Sequence, residues 1–529
     1  MQGARRAHVH WPIFNRRATP QDVMDRFPNS DVFLEQDTSS GHARRRNSGM
    51  KLPGHKTKIV CTIGPASSSE SVIARLVKGG MNVARLNLSH GTLEDHTERM
   101  RTIRSVAARL NRPVTVLLDL PGPKIRVGKL KDEPVTLKRG TAVTLTTRKV
   151  LGTASQIPVS YERLPESVSK GSTVYLNDGM IQLRVRRVLH DEVTCVVSVG
   201  GQLRSFKGLN LPKAKLFVDS VTERDLAFVD FGLENGVDMY CASFVTGPDD
   251  IAKVKDHAGK RGKTVYVVAK IERAEAVKNI ERILEVADAI MVARGDLGVQ
   301  TAIEDIPAVQ KLLIRKANLR SRPVITATQM LESMMGNTRP TRAEVTDVAN
   351  AILDGTDAVM LSEETALGAY PVEAVRMMVR IAASIERHRS RAAFPPRLRD
   401  EVISRETGKG ASLEDVISVS VVDAVHASGA RFILTPTTTG STPCRISRLK
   451  PGCWILAPTT DSGTHELLAL SYGVHPVLIK DMVDTWEAIA LRLAAELNLA
   501  RTGDRVVLTE GGSTQQLAGT NSLKILTLP

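Results

Sequence analysis

The chain has 529 residues, too many for one hydrophobic core, so about two to four domains are expected. Hydrophobic residues make up 42%, enough for ordinary globular cores; aromatics at 4% argue against base stacking on single-stranded nucleic acid, and no apolar run approaches the roughly 20 residues that span a bilayer. The net charge of +15 fits a basic solvated surface or attraction of polyanions, and the five scattered cysteines (Cys61, Cys195, Cys241, Cys444 and Cys453) lack zinc-type spacing and point to a reducing, cytoplasmic compartment.

Residues 1–49 hold eight Arg, no Lys and five acids, with no apolar period. A disordered tail, an Arg-rich targeting peptide and sequence upstream of a start at Met50 all fit; the acids count against a transit peptide. A non-core N-terminal extension is expected there.

From Lys58 a β-rich run followed by a helical pattern recurs eight times, the runs being Ile59–Ile63, Val83–Leu88, Val114–Leu118, Met239–Phe244, Val265–Ala269, Ala289–Ala293, Pro323–Ala327 and Ala358–Leu361. Helices are predicted over Ser69–Lys78, Leu93–Leu110 and Glu304–Asn318, and Thr341-Arg342-Ala343-Glu344 has capping-box form. Eight β/α units predict a (β/α)8 barrel with its active site at the C-terminal strand ends.

About 120 residues separate the third and fourth runs. Val135–Leu137, Ala142–Thr146, Thr173–Leu176, Ile181–Val188 and Val193–Val199 read as short strands with Gly-containing turns. Such an insertion stands over the barrel mouth, where a lid belongs. Ser404–Leu413 reads as a linker to a final α/β domain with a helix at Val416–Ala427 and strands at Arg431–Thr435, Trp454–Ala457 and Val506–Leu508. The expected domains are 1–49, the barrel at 50–122 and 216–395, the lid at 123–215, and the C-terminal α/β domain at 410–529.

The strand ends carry the chemistry. Val268-Ala269-Lys270-Ile271-Glu272 and Ala293-Arg294-Gly295-Asp296 each end an apolar run in charge, bringing a lysine and two carboxylates to one mouth. Two carboxylates suit a hard divalent ion and a lysine suits a phosphoryl group; two buried strands with charged ends are the plainer alternative. The second strand adds Arg85 to Gly91, the third Asp119 and Gly122-Pro123-Lys124-Ile125-Arg126, the seventh Thr328-Gln329 and the eighth Ser362-Glu363-Glu364-Thr365. Gly295-Asp296-Leu297-Gly298 opens a helix directly after a strand, a setting for a bound carboxylate or phosphate.

Together with Lys58-Ile59-Val60-Cys61-Thr62-Ile63-Gly64-Pro65 and Ala327-Thr328-Gln329-Met330-Leu331-Glu332, these motifs make the chain resemble the pyruvate kinases over essentially all of 55–529. The resemblance implies a (β/α)8 barrel, an inserted β-barrel lid and a C-terminal α/β regulatory domain. It implies transfer of phosphate from phosphoenolpyruvate to ADP, with Glu272 and Asp296 binding Mg2+ or Mn2+. Lys270 would neutralise the moving phosphoryl group, Arg85 would hold the substrate phosphate, and Gly295, Asp296 and Thr328 the substrate carboxylate. Arg126, and Lys207 on the lid, match nucleotide-binding positions. Thr328, Ser362 and Glu364 match the region that returns a proton to the enolate.

Many relatives bind K+ partly through positions matching Asn87, Ser89 and Asp119 plus a Thr. Here Leu120 replaces that Thr and Lys124 replaces a Glu, so activity without K+ is expected. The loop Thr437-Thr438-Thr439-Gly440-Ser441-Thr442 matches the family's effector loop, as does Glu510-Gly511-Gly512 to Gly519-Thr520-Asn521. The latter stretch has no Lys or Arg before Lys524, which favours AMP or a sugar monophosphate over a bisphosphate. A homotetramer is expected, without membrane or specific nucleic-acid partners. A metal-dependent keto-acid lyase on a similar barrel, or a catalytically dead basic binding protein, are the competing readings.

Overall fold

Eight short apolar segments, buried along nearly their whole length, have nowhere to go but into a sheet covered on both faces, and eight such parallel strands close on themselves. In the computed structural model, which describes residues 52–529 apart from 178, 213, 215, 390–396, 405–410, 481–484 and 512–518, they are β1 Lys58–Thr62, β2 Val83–Asn87, β3 Thr115–Asp119, β4 Met239–Ala242, β5 Tyr266–Ile271, β6 Ala289–Ala293, β7 Val324–Ala327 and β8 Ala358–Leu361. All pair in parallel around a closed barrel, β8 returning to β1 with Lys58 opposite Ala358. The expected extension, residues 1–49, lies outside the described residues.

Alternation along each strand builds two cores. Val60, Val83, Leu117, Val268, Met291 and Ile325 fill the barrel interior. Ile59, Cys61, Leu86, Leu118, Ala269 and Val292 face outward against the helices. The helices Leu93–Arg109, Glu223–Glu234 and Arg342–Asp354 each begin with a capping box, the last built on Thr341 and Glu344 as its sequence predicts.

The segment after β3 forms a six-stranded sheet in the order Leu209–Asn210, Thr173–Leu176, Ile181–Val188, Glu192–Val199, Ala142–Thr146 and Gln156–Pro158, beside a two-stranded pair, Val135–Leu137 with Gly201–Leu203. Its two edges are both joined to the same short stretch, through bridges Arg126↔Gly208 and Val127↔Val159, so the sheet curls around its own core. The C-terminal domain is a five-stranded sheet ordered Val474–Leu478, Trp454–Thr459, Phe432–Leu434, Arg505–Gly511 and Thr520–Thr527, only the last strand antiparallel. Its Leu467 and Leu470 pack into the barrel's interior core, which leaves the opposite end of the barrel as the open mouth.

All five cysteines are free. Among the described residues no helix is long and apolar enough to cross a membrane.

Candidate active site

The C-terminal ends of β2, β3 and β5 bring four ionic groups into one buried network. Asp119 closes β3 and is 1% exposed. Its Oδ2 accepts from Arg85 Nε at 2.7 Å and forms an ion pair with Nη2 at 2.5 Å, and its Oδ1 lies 3.3 Å from Lys270 Nζ. Lys270 also reaches Glu272 Oε1 at 3.0 Å. Arg85 Nη1 further donates to Thr62 Oγ1.

Burial by itself would raise the Asp119 carboxyl, but Lys270 and Arg85 outweigh it and hold the group below the usual carboxylate range. Burial by itself would lower the Lys270 ammonium; Asp119 and Glu272 outweigh it and push the group above its ordinary value. Glu272 is raised, first by burial and then by Asp296, with Lys270 opposing. A carboxylate whose charge a second carboxylate disfavours is a fitting place for a divalent cation. No group of three or more His, Cys, Asp or Glu placed to hold a metal occurs among the described residues. Two carboxylates nevertheless fit Mg2+, which is commonly held by one or two protein carboxylates with substrate oxygens and water completing the sphere.

Asp296 sits in the first turn of the helix Arg294–Gln300, directly after β6. Gly295 N–H donates to Thr328 Oγ1 at 2.9 Å, and Thr328 in turn donates to Ala327 O at 2.6 Å, so the three elements expected to take a substrate carboxylate are already adjacent. Thr328 has φ +66° and Gln329 φ +54°. A β-branched residue in the left-handed region is a genuine outlier, and such strain clusters at functional sites. The Arg294 guanidinium is committed to Asp347, to Thr328 O and to Ala327 O, tying the ends of β6 and β7 together.

Ser362 and Glu364 follow β8. Glu364 is 2% exposed and accepts from Leu331 N at 3.0 Å and Ser362 N at 2.7 Å, and burial raises its carboxyl. It braces the loops after β7 and β8. Near β2, Asn87 Oδ1 accepts from Ser89 N, and Leu120 is 1% exposed, packed in the outer core. Lys124 Nζ lies 3.9 Å from Asp296 Oδ1. Burial, then Arg126, Lys124 and Arg85 depress His90, so three cations converge on the β2 end.

A cavity of about 1680 Å3 joins these groups to the lid: Lys124, Asp296, Thr328, Ser362 and Glu364 line it with Lys207 and Tyr175. Arg126 Nη1 donates to Phe206 O, holding it beside Lys207. A second cavity of about 1010 Å3 in the C-terminal domain is lined by Thr437, Thr438, Thr439, Ser441, Thr442, Arg445, Trp486 and Thr509; Gly440 N–H donates to Thr437 Oγ1 at its rim. Part of the second expected effector stretch, 512–518, lies outside the described residues.

Sequence reasoning passed over the end of β4. Ser243 and Phe244 follow it directly; Lys270 Nζ donates to Ser243 Oγ at 2.8 Å, and Phe244 N–H donates to Glu272 Oε2 at 2.7 Å. The signal was available in the rule that every strand end of such a barrel faces the site.

Two family descriptions match the sequence: "Pyruvate kinase, barrel domain" over residues 54–375 and "Pyruvate kinase, alpha/beta domain" over residues 415–526. The pyruvate kinase of Thermococcus litoralis is 50% identical over 480 residues, covering 91% of this chain and 100% of its own. That of Staphylococcus saprophyticus is 44% identical over 476 residues, covering 89% and 80%. The crystal structure of a pyruvate kinase from Cryptosporidium parvum superposes with a TM-score of 0.82 at 37% identity, over 90% of this chain and 97% of that one. A closed eight-stranded barrel, a curled lid sheet and a C-terminal α/β domain, joined to these matches, lead to one conclusion: the chain belongs to the pyruvate kinase family and is a phosphotransferase.

Proposed function

We propose that the enzyme transfers phosphate from phosphoenolpyruvate to ADP, giving pyruvate and ATP, with Mg2+ (or Mn2+) and without K+. The observation that carries this reading is the Lys270 ammonium held 3.0 Å from Glu272, with Asp296 close enough to raise that carboxyl. Glu272 and Asp296 hold the divalent ion, which when bound supplies charge neutralisation on the transferring phosphoryl group. Arg85, clamped by Asp119, presents its guanidinium to the substrate phosphate. Lys270 neutralises the phosphoryl oxygens and then the enolate oxygen. The backbone at Gly295 and Asp296, with the Thr328 hydroxyl, orients the substrate carboxylate, while Arg126 and Lys207 take the nucleotide as the lid closes. Thr328, Ser362 and Glu364 lie along the path by which a proton returns to carbon. A keto-acid lyase would have no use for lid residues such as Lys207 in the wall of the same cavity, and a dead barrel would have no reason to keep Lys270 with both carboxylates.

Independence from K+ is supported by Leu120, whose side chain cannot ligate, and by Lys124, whose ammonium shares the field on His90 with Arg126 and Arg85. A coupled assay with phosphoenolpyruvate, ADP and Mg2+, run with a bulky organic cation as the only monovalent ion, should give full activity; strong stimulation by added K+ would reject this part of the reading.

The C-terminal cavity supports an AMP or sugar-monophosphate effector. Thr509 Oγ1 is buried in its wall with no hydrogen-bond partner among the described residues, and Arg445, the one arginine among the described wall residues, is paired with Asp415. A rate indifferent to AMP and to ribose and hexose monophosphates would remove this proposal. We also take the enzyme to be a cytoplasmic homotetramer, testable by light scattering.

A further inference from the structure

Three oxygens surround the Lys270 ammonium: Ser243 Oγ, to which it donates at 2.8 Å, and its ion-pair partners Glu272 Oε1 at 3.0 Å and Asp119 Oδ1 at 3.3 Å. Two are charged and each has other work. Asp119 is bound by Arg85, and Glu272 faces Asp296. Ser243 is the neutral and shortest partner.

Its hydroxyl is directional. Ser243 Oγ donates its single hydrogen to Leu120 O at 2.7 Å, far better placed than the alternative acceptor Asp119 Oδ1 at 3.4 Å. With that hydrogen committed, only lone pairs remain for Lys270. Leu120 O is fixed in turn, because Leu120 N–H donates to Cys241 O at 3.0 Å and the Leu120 side chain is buried. Ser243 is 4% exposed and cannot swing away. Above it, Gly122 at φ +63° leaves no room: a Cβ there would lie 3.0 Å from Ser243 Cβ and 3.1 Å from Phe244 Cδ2. The next residue, Phe244, is itself held at φ +55°, which aims its N–H at Glu272 Oε2.

We propose that Ser243 is a positioning residue for phosphoryl transfer: the relay from Lys270 through Ser243 to the Leu120 carbonyl aims the ammonium at the phosphoryl group, leaving Glu272 as a residue that would hold the divalent ion. The proposal rests on the phosphotransfer reading of the site. Removing the relay leaves Lys270 charged and still tethered to Asp119, but free to swing toward Asp119 or Glu272. Substrates bind through other groups, Arg85, the Gly295 backbone and the lid, so the loss falls on kcat and spares KM.

Ser243→Ala tests this, since it makes a side chain smaller and adds no clash. The expected result is a fall in kcat of about 10²-fold, the cost of roughly 1 Å of misplacement, with KM for phosphoenolpyruvate and ADP and the affinity for Mn2+ read by electron paramagnetic resonance all within about threefold of the parent. A kcat within about twofold of the parent overturns the proposal. So does a loss of kcat accompanied by equal losses in Mn2+ affinity and KM, which would mark a collapsed site. Should the Ala variant not fold, Ser243→Cys keeps a similar shape with a weak acceptor, and parental kcat in that variant overturns it equally. Absence of pyruvate formation by the parent protein would instead defeat the underlying reading, a result seen before any variant is made.

Discussion

Lys270 and Arg85 share one carboxylate, Asp119, and that sharing decides what their removal does. Lys270→Met deletes an ammonium whose neighbours keep other partners: Asp119 retains Arg85, and Glu272 retains the Phe244 N–H. The fold should survive, as read by circular dichroism, while kcat falls by about 10³-fold or more; near-parental activity would contradict the central role of this ammonium. Asp119→Asn is the harsher change for stability, because it leaves the buried Arg85 without its carboxylate while Lys270 keeps only Glu272, a class of loss worth about 3–5 kcal/mol. Its pH dependence has a definite sign. The folded-state carboxyl is depressed, so its stabilisation is present above the unfolded value and is lost as pH falls through the folded value. The gap in unfolding midpoint between parent and Asp119→Asn should therefore be full near neutrality and narrow below about pH 4; a constant gap would mean that Asp119 is not ionised in the native state.

At the scale of elements, the helix Arg342–Asp354 shows how local rules operate beside the site. Thr341 Oγ1 accepts from Glu344 N, while the Glu344 carboxylate returns to Thr341 N and also reaches Ser333 N and Oγ. Thr341→Ala removes one half of this box and should cost about 1 kcal/mol of stability with little change in kcat. A large kcat loss would show that the cap steers the neighbouring cavity wall. The barrel strands and this cap were legible because full burial and capping leave strong marks: Ala289–Ala293 and Ala358–Leu361 were read with their observed bounds. The strands that went unread are mostly edges. Gln156–Pro158, Leu209–Asn210, Val474–Leu478 and Thr520–Thr527 each sit at the end of a sheet. An edge strand tolerates proline, here Pro158 and Pro476, and needs no continuous apolar run, so both of its signals fade. The site was legible where a strand ended in charge, and illegible at Ser243, a single hydroxyl whose meaning lies entirely in a partner 27 residues away.

At the scale of the whole molecule, the end of the barrel opposite the site is where the C-terminal domain attaches. Asp357, just before β8, accepts from Lys450 Nζ at 2.6 Å and Tyr472 N at 3.1 Å, and Lys58 Nζ at the start of β1 donates to Val474 O. Leu467 and Leu470 complete the barrel's interior core, so the two domains cannot part without exposing it. Glu466 directly precedes Leu467, and its backbone carbonyl accepts from Thr115 Oγ1 at the start of β3, yet its carboxylate Oε2 has no hydrogen-bond partner among the described residues. Burial first, and then Asp238, push its carboxyl up to about 7, with Arg104 opposing. An acid raised on folding binds a proton in the native state that the unfolded chain has already lost. Stability therefore falls as pH climbs from the ordinary glutamate range through about 7, where the buried group must ionise. Glu466→Gln keeps the shape and removes that ionisation. It should raise the unfolding midpoint at about pH 8 by several degrees and leave it nearly unchanged at about pH 5, where the parent side chain is itself neutral. An equal shift at both pH values would mean that the contact between domains depends on the amide's hydrogen bonds and not on the buried proton.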